Sequence, residues 1–232
     1  MLILGIETAT AVSGCALGGP DGVIARVSVA RGRRHAELLV PQIRTLCEMA
    51  DVELSEVRVV AVDVGPGLFT GLRVGLATAK GLAYALGVPM IGLPSLDLLA
   101  FPFRHSPRTV VVAIDARRGE LYHAAYRTVP GGLQRIGPHS VGSPEALAAD
   151  LMAGGEEVLL AGDGARRYRE HFEDLAHVEL VDDGDGHPSA ASLVALAHAA
   201  AVREEFRRPD EVQPIYLRVP DAEINWTTRH SS

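Results

Sequence analysis

Cysteine and positive charge are both scarce in this sequence of 232 residues, and each scarcity excludes a class of protein. The two cysteines, Cys15 and Cys47, have no Cys or His neighbour at ligand spacing, so neither a disulfide framework nor a metal site is indicated. The chain has 22 Lys and Arg residues against 29 Asp and Glu, which gives a net charge of −7. A protein that binds nucleic acid or a membrane surface on its own needs clustered cations, so both classes are disfavoured.

Long hydrophobic segments are also absent from the sequence. No apolar run reaches the ~18 residues that a membrane-spanning helix needs. The opening segment, Met1–Glu7, lacks the basic region of a secretory signal. Hydrophobic residues nevertheless make up 47% of the chain, which is enough to bury a core and excludes a mainly disordered protein. We therefore expect a soluble, cytoplasmic protein of one large domain or two small ones.

The hydrophobic pattern of the first ~95 residues predicts the order β-β-β-α-β-α-β. Glycine and aspartate at Gly18–Gly22 are typical of a tight hairpin turn, so the first three strands should form an antiparallel meander. In chain order, the predicted elements are the strands Leu2–Glu7, Val12–Leu17 and Val23–Val29, the helix Arg33–Ala50, the strand Val57–Val64, the helix Thr70–Leu86 and the strand Val88–Leu93.

A break at Pro102–Pro107, where two prolines flank polar residues, predicts a boundary between two lobes, residues 1–105 and residues 106–220. The second lobe is predicted to contain the strands Thr109–Ile114, Glu120–Thr128, Val158–Ala161 and Val178–Val181 and the helices Pro144–Leu151, Ala165–Phe172 and Pro188–Phe206.

Two further segments are predicted to lack regular structure. Asp182, Asp183 and Asp185 lie among glycines, but the fixed ligand spacing of a calcium loop is missing, so a solvated loop is expected. Residues 221–232 show no periodicity and are predicted to form a flexible tail.

The first of three motifs ends the first predicted strand, at Gly5–Thr10. An acid followed by hydroxyl side chains can hold phosphate, which makes Glu7, Thr8 and Thr10 candidates for nucleotide binding. The alternative is a strand-end turn whose hydroxyls hydrogen-bond the backbone, and the residues by themselves favour it.

The second motif, Gly65–Gly75, joins a strand to a helix and has the sequence GPGLFTGLRVG. Its glycines let backbone N–H groups approach an anion at the helix start, which adds Gly67 to the nucleotide-binding candidates, although neither a Walker nor a dinucleotide fingerprint is present. Gly71, Gly75 and Ala79 recur four apart and form a strip of small residues along the helix. Because each helical glycine costs roughly 1 kcal/mol, this strip predicts close packing, either on the sheet of the same chain or against a partner.

The third motif, Ala113–Tyr122, places Asp115 at a strand end before paired arginines. It is either a solvated turn or a set of polar site residues. Neither a G-x-S-x-G elbow nor an H-E-x-x-H or H-x-x-x-H pair occurs, so nucleophilic or metal-dependent hydrolysis is poorly supported. We therefore expect no catalytic residue and no metal site in this chain.

Together with Pro214–Arg218, these motifs resemble those of the TsaB (YeaZ) family, bacterial proteins that take part in forming threonylcarbamoyladenosine in tRNA. The resemblance implies an α/β fold of the actin/Hsp70/sugar-kinase type, with two RNase-H-like lobes of mixed sheet and flanking helices. The family is paralogous to TsaD, which binds a metal through H-x-x-x-H. The matching positions here are Ser95 and Leu99, neither of which can replace an imidazole ligand, so the resemblance is to the non-catalytic paralogue.

The resemblance implies a non-catalytic partner that activates TsaD in modifying position 37 of tRNA, with the ATPase TsaE joining the complex. It also implies that tRNA is bound only through the complex, that ATP or ADP can lie at the complex interface, and that the chain can form a homodimer when alone. An ATP-dependent small-molecule kinase and a glycoprotease-like peptidase are the alternatives. The first two helices are expected to form the partner interface, through His35, Leu38, Leu39, Gln42, Gly71, Leu72, Gly75, Leu76, Ala79 and Ala83.

Overall fold

The computed structural model describes residues 1–31, 34–181 and 186–218. The acidic loop predicted at Asp182, Asp183 and Asp185 and the tail predicted over residues 221–232 lie outside these ranges. The described residues form two five-stranded mixed sheets with helices packed on their faces. The predicted α/β class is therefore confirmed.

The first sheet has the strand order β3-β2-β1-β4-β5. Strands β1, β2 and β3 pair antiparallel as the predicted meander, while β4 and β5 continue the sheet parallel to β1. The predicted β-β-β-α-β-α-β order is confirmed. The short helix α3, which follows these elements, was not predicted. The elements are β1 (Ile3–Glu7), β2 (Ser13–Gly19), β3 (Gly22–Val29), α1 (His35–Ala50), β4 (Val59–Asp63), α2 (Phe69–Leu86), β5 (Met90–Leu93) and α3 (Ser95–Ala100).

The second sheet repeats this topology, with the order β8-β7-β6-β9-β10. Strand β8 was not predicted, because its sequence carries glycines, a proline and exposed polar residues in place of an apolar alternation. The predicted helix over Ala165–Phe172 is a five-residue helix followed by one 3-10 turn. The elements are β6 (Thr109–Arg117), β7 (Glu120–Val129), β8 (Gly132–Gly142), α4 (Pro144–Gly154), β9 (Val158–Ala161), α5 (Asp163–Arg167), β10 (Val178–Leu180) and α6 (Ala190–Val202).

Helices cover both faces of the first sheet. Leu4 and Ile6 of β1 point toward α1 and α2, whereas Ile3 points toward α6, in agreement with the alternation of side chains along a strand. The last helix therefore belongs to the core of the first lobe, although it was predicted within the range 106–220. The chain after α6 first follows this lobe, where the N–H of Ile215 donates to the carbonyl oxygen of Val64 over 2.7 Å, and then reaches the second lobe, where Leu217 packs. The predicted boundary separates the two sheets but not the helices.

Helix α3 links the two lobes. Leu98 packs in the same core cluster as α6, whereas Leu96 and Leu99 pack in a cluster with β6 and β7. Asp97 on the same helix accepts a hydrogen bond from the hydroxyl of Tyr126 on β7, over 2.7 Å. None of the helices in the described ranges has the length and apolar character needed to cross a membrane.

Candidate functional sites in the interlobe cleft and on the paired helices

A groove of about 460 Å³, here called the interlobe cleft, runs between the end of β1 and the start of α6. Glu7 lies at its base, Arg26 contributes from β3, and Arg166 contributes from α5 of the second lobe. His187 and Ser189, which precede α6, complete its polar lining. The cleft therefore brings an acid and a base of the first lobe together with an arginine of the second lobe.

Two acidic side chains end the central parallel strands of the first sheet, and both are only 1% exposed. Glu7 Oε1 accepts the N–H of Ala9 over 2.7 Å, and Asp63 Oδ1 accepts the N–H of Gly65 over 2.7 Å and the hydroxyl of Ser95 over 2.6 Å. Burial raises the pKa of Asp63 to about 7, and burial together with the charge of Asp63 raises the pKa of Glu7 well above its usual range.

The other predicted nucleotide-binding residues have their polar groups turned into the protein. Thr8 donates its hydroxyl to the carbonyl oxygen of Gly71 over 2.8 Å, and the hydroxyl of Thr10 accepts the N–H of Val12. At Gly67 the backbone lies so close to Ala9 that a Cβ atom would overlap its carbonyl oxygen. This arrangement matches the alternative of a strand-end turn, and nucleotide binding by Glu7, Thr8, Thr10 and Gly67 stays a prediction.

Among the acids of the second lobe, Asp115 has two arginines beside it and Asp163 has a histidine. Asp115 Oδ2 lies 3.1 Å from Nη1 of Arg117 and 3.6 Å from Nε of Arg167. Asp163 Oδ1 accepts the N–H of Asp115 over 3.2 Å, and its Oδ2 lies 3.9 Å from Nδ1 of His187. Burial raises the pKa of Asp163 and lowers the pKa of His187, because it disfavours the charged form of each group. Asp115 is thus buried and not part of a solvated turn, and its role as a site residue stays a prediction.

The residues predicted to form a partner interface on α1 and α2 are mostly internal. Gln42 donates to the hydroxyl of Ser13 over 3.1 Å, and the ring Nε2 of His35 lies 2.9 Å from the carbonyl oxygen of Thr10. Nine of the ten are buried within the protomer, and Leu38 is half-buried. The nine buried residues are His35, Leu39, Gln42, Gly71, Leu72, Gly75, Leu76, Ala79 and Ala83.

The strip of small residues on α2 packs against its own lobe. A Cβ atom at Gly71 would overlap the carbonyl oxygen of Thr8, and one at Gly75 would overlap the Thr8 hydroxyl. The close packing predicted from the glycines is therefore intramolecular at Gly71 and Gly75. Burial of nine of the ten residues leaves them little surface for a partner, and an interface through them stays a prediction. A Gly75→Arg variant would disturb the fold itself, so it does not test an interface.

The outward side of the same helix pair carries a groove and exposed apolar residues that the sequence pattern did not predict. An outer groove of about 500 Å³ runs between α1, α2 and the turn after α1. Val40, Met49 and Tyr84 on these helices are 55%, 70% and 61% exposed, respectively. Apolar residues of α1 that lie outside its buried stripe, such as Val40 and Met49, could have indicated this exposed apolar surface. The lining comprises Val40, Ile43, Arg44, Cys47, Glu48, Asp51, Val52, Glu53, Leu54, Thr78 and Leu82.

Comparison with known proteins identifies the family. Residues 22–226 match the family model described as "TsaD: tRNA N6-adenosine threonylcarbamoyltransferase". The solved structure of YeaZ from Pseudomonas aeruginosa is 32% identical, with a TM-score of 0.81, and the match covers 93% of this chain and 99% of that one. The chain belongs to the TsaB (YeaZ) family, within the wider TsaD type.

Other comparisons agree with this family assignment. The tRNA threonylcarbamoyladenosine biosynthesis protein TsaB of Bacillus subtilis is 29% identical, and the match covers 97% of this chain and 98% of the relative. The (R)-2-hydroxyglutaryl-CoA dehydratase component A of Acidaminococcus fermentans is 12% identical with a TM-score of 0.52, which is a likeness of fold alone. The fold is thus of the actin/Hsp70/sugar-kinase type, as the resemblance to TsaB implied.

Membership of the TsaB family gives a meaning to Ser95 and Leu99, the positions that match the TsaD metal motif. Both side chains are buried, at 0% and 1% exposure. Ser95 donates its hydroxyl to Asp63, and Leu99 packs in the core of the second lobe. Both positions therefore have structural roles in this TsaB-family protein.

Proposed function

We propose that this chain is the non-catalytic partner that activates a TsaD-type subunit in forming N6-threonylcarbamoyladenosine at position 37 of tRNA. The observation that carries the proposal is the near full-length similarity to proteins named for threonylcarbamoyladenosine biosynthesis. The buried Ser95 and Leu99 support it, because a hydroxyl and an aliphatic side chain hold the places of two metal-binding imidazoles.

The outer groove of α1 and α2 is the surface we assign to the TsaD-type partner. It combines apolar residues such as Val40 and Leu82 with the charged Arg44 and Glu48, a mixture typical of protein interfaces. Since paralogues offer similar faces, the same surface would join two copies of this chain when the partner is absent. TsaE is expected to join the heterodimer, with ATP or ADP at the complex interface.

In this proposal the partner holds the tRNA. The chain has a net charge of −7, and affinity for tRNA depends mainly on Lys and Arg contacts to phosphates. The isolated protein should bind tRNA weakly at physiological salt, whereas the heterodimer should bind it more tightly.

Reconstitution tests the proposal directly. TsaD and TsaE are incubated with tRNA, ATP and the threonylcarbamoyl donor, with and without this protein, and the modified nucleoside is quantified by mass spectrometry. We expect modification to require this protein. Modification at the full rate in its absence would refute the activator role.

A further inference from the structure

The strongest unexplained feature of the molecule is the pair of acids at the ends of β1 and β4. Ile6 and Val62 are paired in register, and Glu7 and Asp63 each lie one residue further along their strands. The alternation of side chains along β1 and β4 directs both acids to the side of the sheet that carries α6. The two carboxyl groups therefore lie on neighbouring strands and on the same side of the sheet, and both side chains are buried.

The hydrogen bonds of this pair leave one oxygen without a partner. Glu7 Oε1 and Asp63 Oδ1 accept the three donors described above. Asp63 Oδ2 is buried and has no hydrogen-bond partner. Within the described ranges, no Lys, Arg or His side chain forms an ion pair with either acid.

Two adjacent buried anions without a cation are strongly disfavoured, because each loses its hydration and repels the other. The smallest change that removes this conflict is one proton. We propose that Glu7 and Asp63 share a single proton in neutral and mildly acidic solution, so that the pair carries one negative charge and Asp63 Oδ2 takes part in a carboxyl–carboxylate hydrogen bond.

The charges around the pair are of both signs, but none forms an ion pair with either acid in the part of the chain that the structure describes. Asp97 on α3 adds a further negative charge near Asp63 and acts to raise its pKa. Arg26, Arg166 and His187 face Glu7 across the interlobe cleft, from β3, α5 and the segment before α6. On the α2 side of the sheet, His35 is held by the carbonyl oxygen of Thr10.

A shared proton makes the joint between the lobes sensitive to pH. Ser95, the first residue of α3, donates to Asp63 Oδ1, and its N–H donates to the carbonyl oxygen of Gly65 over 2.9 Å. An acid whose pKa is raised by folding stabilises the protein fully below its unfolded pKa and loses that contribution as pH rises through the folded value, which is about 7 for Asp63. Stability should therefore fall as pH rises from about 3.8, the ordinary pKa of an aspartate, to about 7.

Infrared spectroscopy of the full-length protein tests the proposal, because a protonated carboxyl group absorbs separately from a carboxylate. We expect the wild type at about pH 6 to show a protonated carboxyl signal from this pair that weakens as the pH is raised. The variants Asp63→Asn and Glu7→Gln should each lack this signal, because the remaining acid has no second carboxyl with which to share a proton and can accept a hydrogen bond from the new amide. Asp21→Asn, an exposed change in the β2–β3 turn, is the matched control and should keep it.

Thermal unfolding over the same pH range gives a second readout. The melting temperature of the wild type and of Asp21→Asn should fall with rising pH, whereas that of Asp63→Asn should lose this component. Absence of the protonated signal in the wild type would overturn the proposal, as would its persistence in either amide variant, since one acid would then hold the proton alone. A rise in melting temperature with magnesium or calcium that is lost in Asp63→Asn would identify a cation site instead.

Discussion

The two lobes share one topology but differ in their helices. Both sheets run from a three-stranded meander into two parallel strands, with helices after the third, fourth and fifth strands. In the first lobe the helices after the third and fourth strands have 16 and 18 residues, whereas their counterparts in the second lobe have 11 and 5. The outer groove lies between the two long helices α1 and α2. The surface proposed for the partner therefore comes from the part of the first lobe in which the helices are longer than their counterparts.

The acids near the strand ends differ just as clearly. Asp115 in the second lobe has two arginines beside it, each about half exposed, so its charge is balanced. Glu7 and Asp63 in the first lobe have hydrogen-bond donors, but neither forms an ion pair with a cation in the described ranges. The acid near the strand end is thus stabilised by ion pairs in the second lobe. In our proposal, the acids at the strand ends of the first lobe are stabilised by a retained proton.

The largest effect is expected where α2 meets β1. Gly71→Ala should lower the free energy of unfolding by about 3 kcal/mol, because the new Cβ would overlap the backbone carbonyl of Thr8 and force the helix outward. Urea denaturation measures the change. Gly81→Ala is the matched control on the same helix, since a Cβ atom added there would meet open space.

For the control Gly81→Ala we expect no loss and a gain of up to about 1 kcal/mol, because alanine favours the helix. Equal effects of the two substitutions would show that α2 does not pack closely against the end of β1. The close packing that we attribute to the long helices of the first lobe would then be wrong.

The second effect in size compares the acids directly. Asp63→Ala should cost about 2 kcal/mol, because the N–H of Gly65 and the buried hydroxyl of Ser95 lose their acceptor. Asp115→Ala should cost about 1 kcal/mol, because Arg117 and Arg167 remain solvated without it. Denaturant titrations of both variants at one pH measure the difference, and a larger cost for Asp115→Ala would reverse our interpretation.

The smallest effect on stability is expected on the outer groove. Val40→Asp should change the free energy of unfolding by less than about 0.5 kcal/mol, because the side chain is 55% exposed. It should nevertheless weaken association with TsaD strongly, since it places a charge within an apolar contact. Co-purification and analytical ultracentrifugation measure the association.

Met152→Asp provides the control from the other lobe. Met152 is 63% exposed on α4, the counterpart of α1, so the same charge is introduced outside the proposed surface. Its complex with TsaD should match that of the wild type. If both variants bound TsaD equally well, the partner would contact another face.

The sequence predicted the sheets far better than it predicted which faces of the helices are exposed. Apolar runs identified β1, β2, β4 and β5, because a strand buried on both faces is apolar almost throughout, whereas alternation identified β3. The glycines of α2 correctly indicated close packing, but the same small residues fit a partner helix or a sheet of the same chain. Their actual neighbour, Thr8, is 63 residues away from Gly71, and only the three-dimensional structure shows that contact.

The acid pair was equally difficult to predict. Glu7 was noted as the end of a strand, but Asp63 gave no signal, because it follows an apolar run and precedes a glycine loop. The register of β1 against β4 brings Glu7 and Asp63 together, and Ser95 then reaches Asp63 from α3. Helix α6 shows the same limit, since the sequence predicted a helix of the second lobe, whereas the helix packs on the first sheet.

The return of α6 to the first sheet sets the order of events during synthesis. Strands β1 to β5 leave the ribosome long before the helix that covers one of their faces, because about a hundred residues of the second lobe separate β5 from α6. At the usual elongation rate this delay lasts roughly 5 to 20 seconds. During that time Ile3, Ala61 and Ile91 form an uncovered apolar surface, so the nascent first lobe is a natural client for a ribosome-associated chaperone.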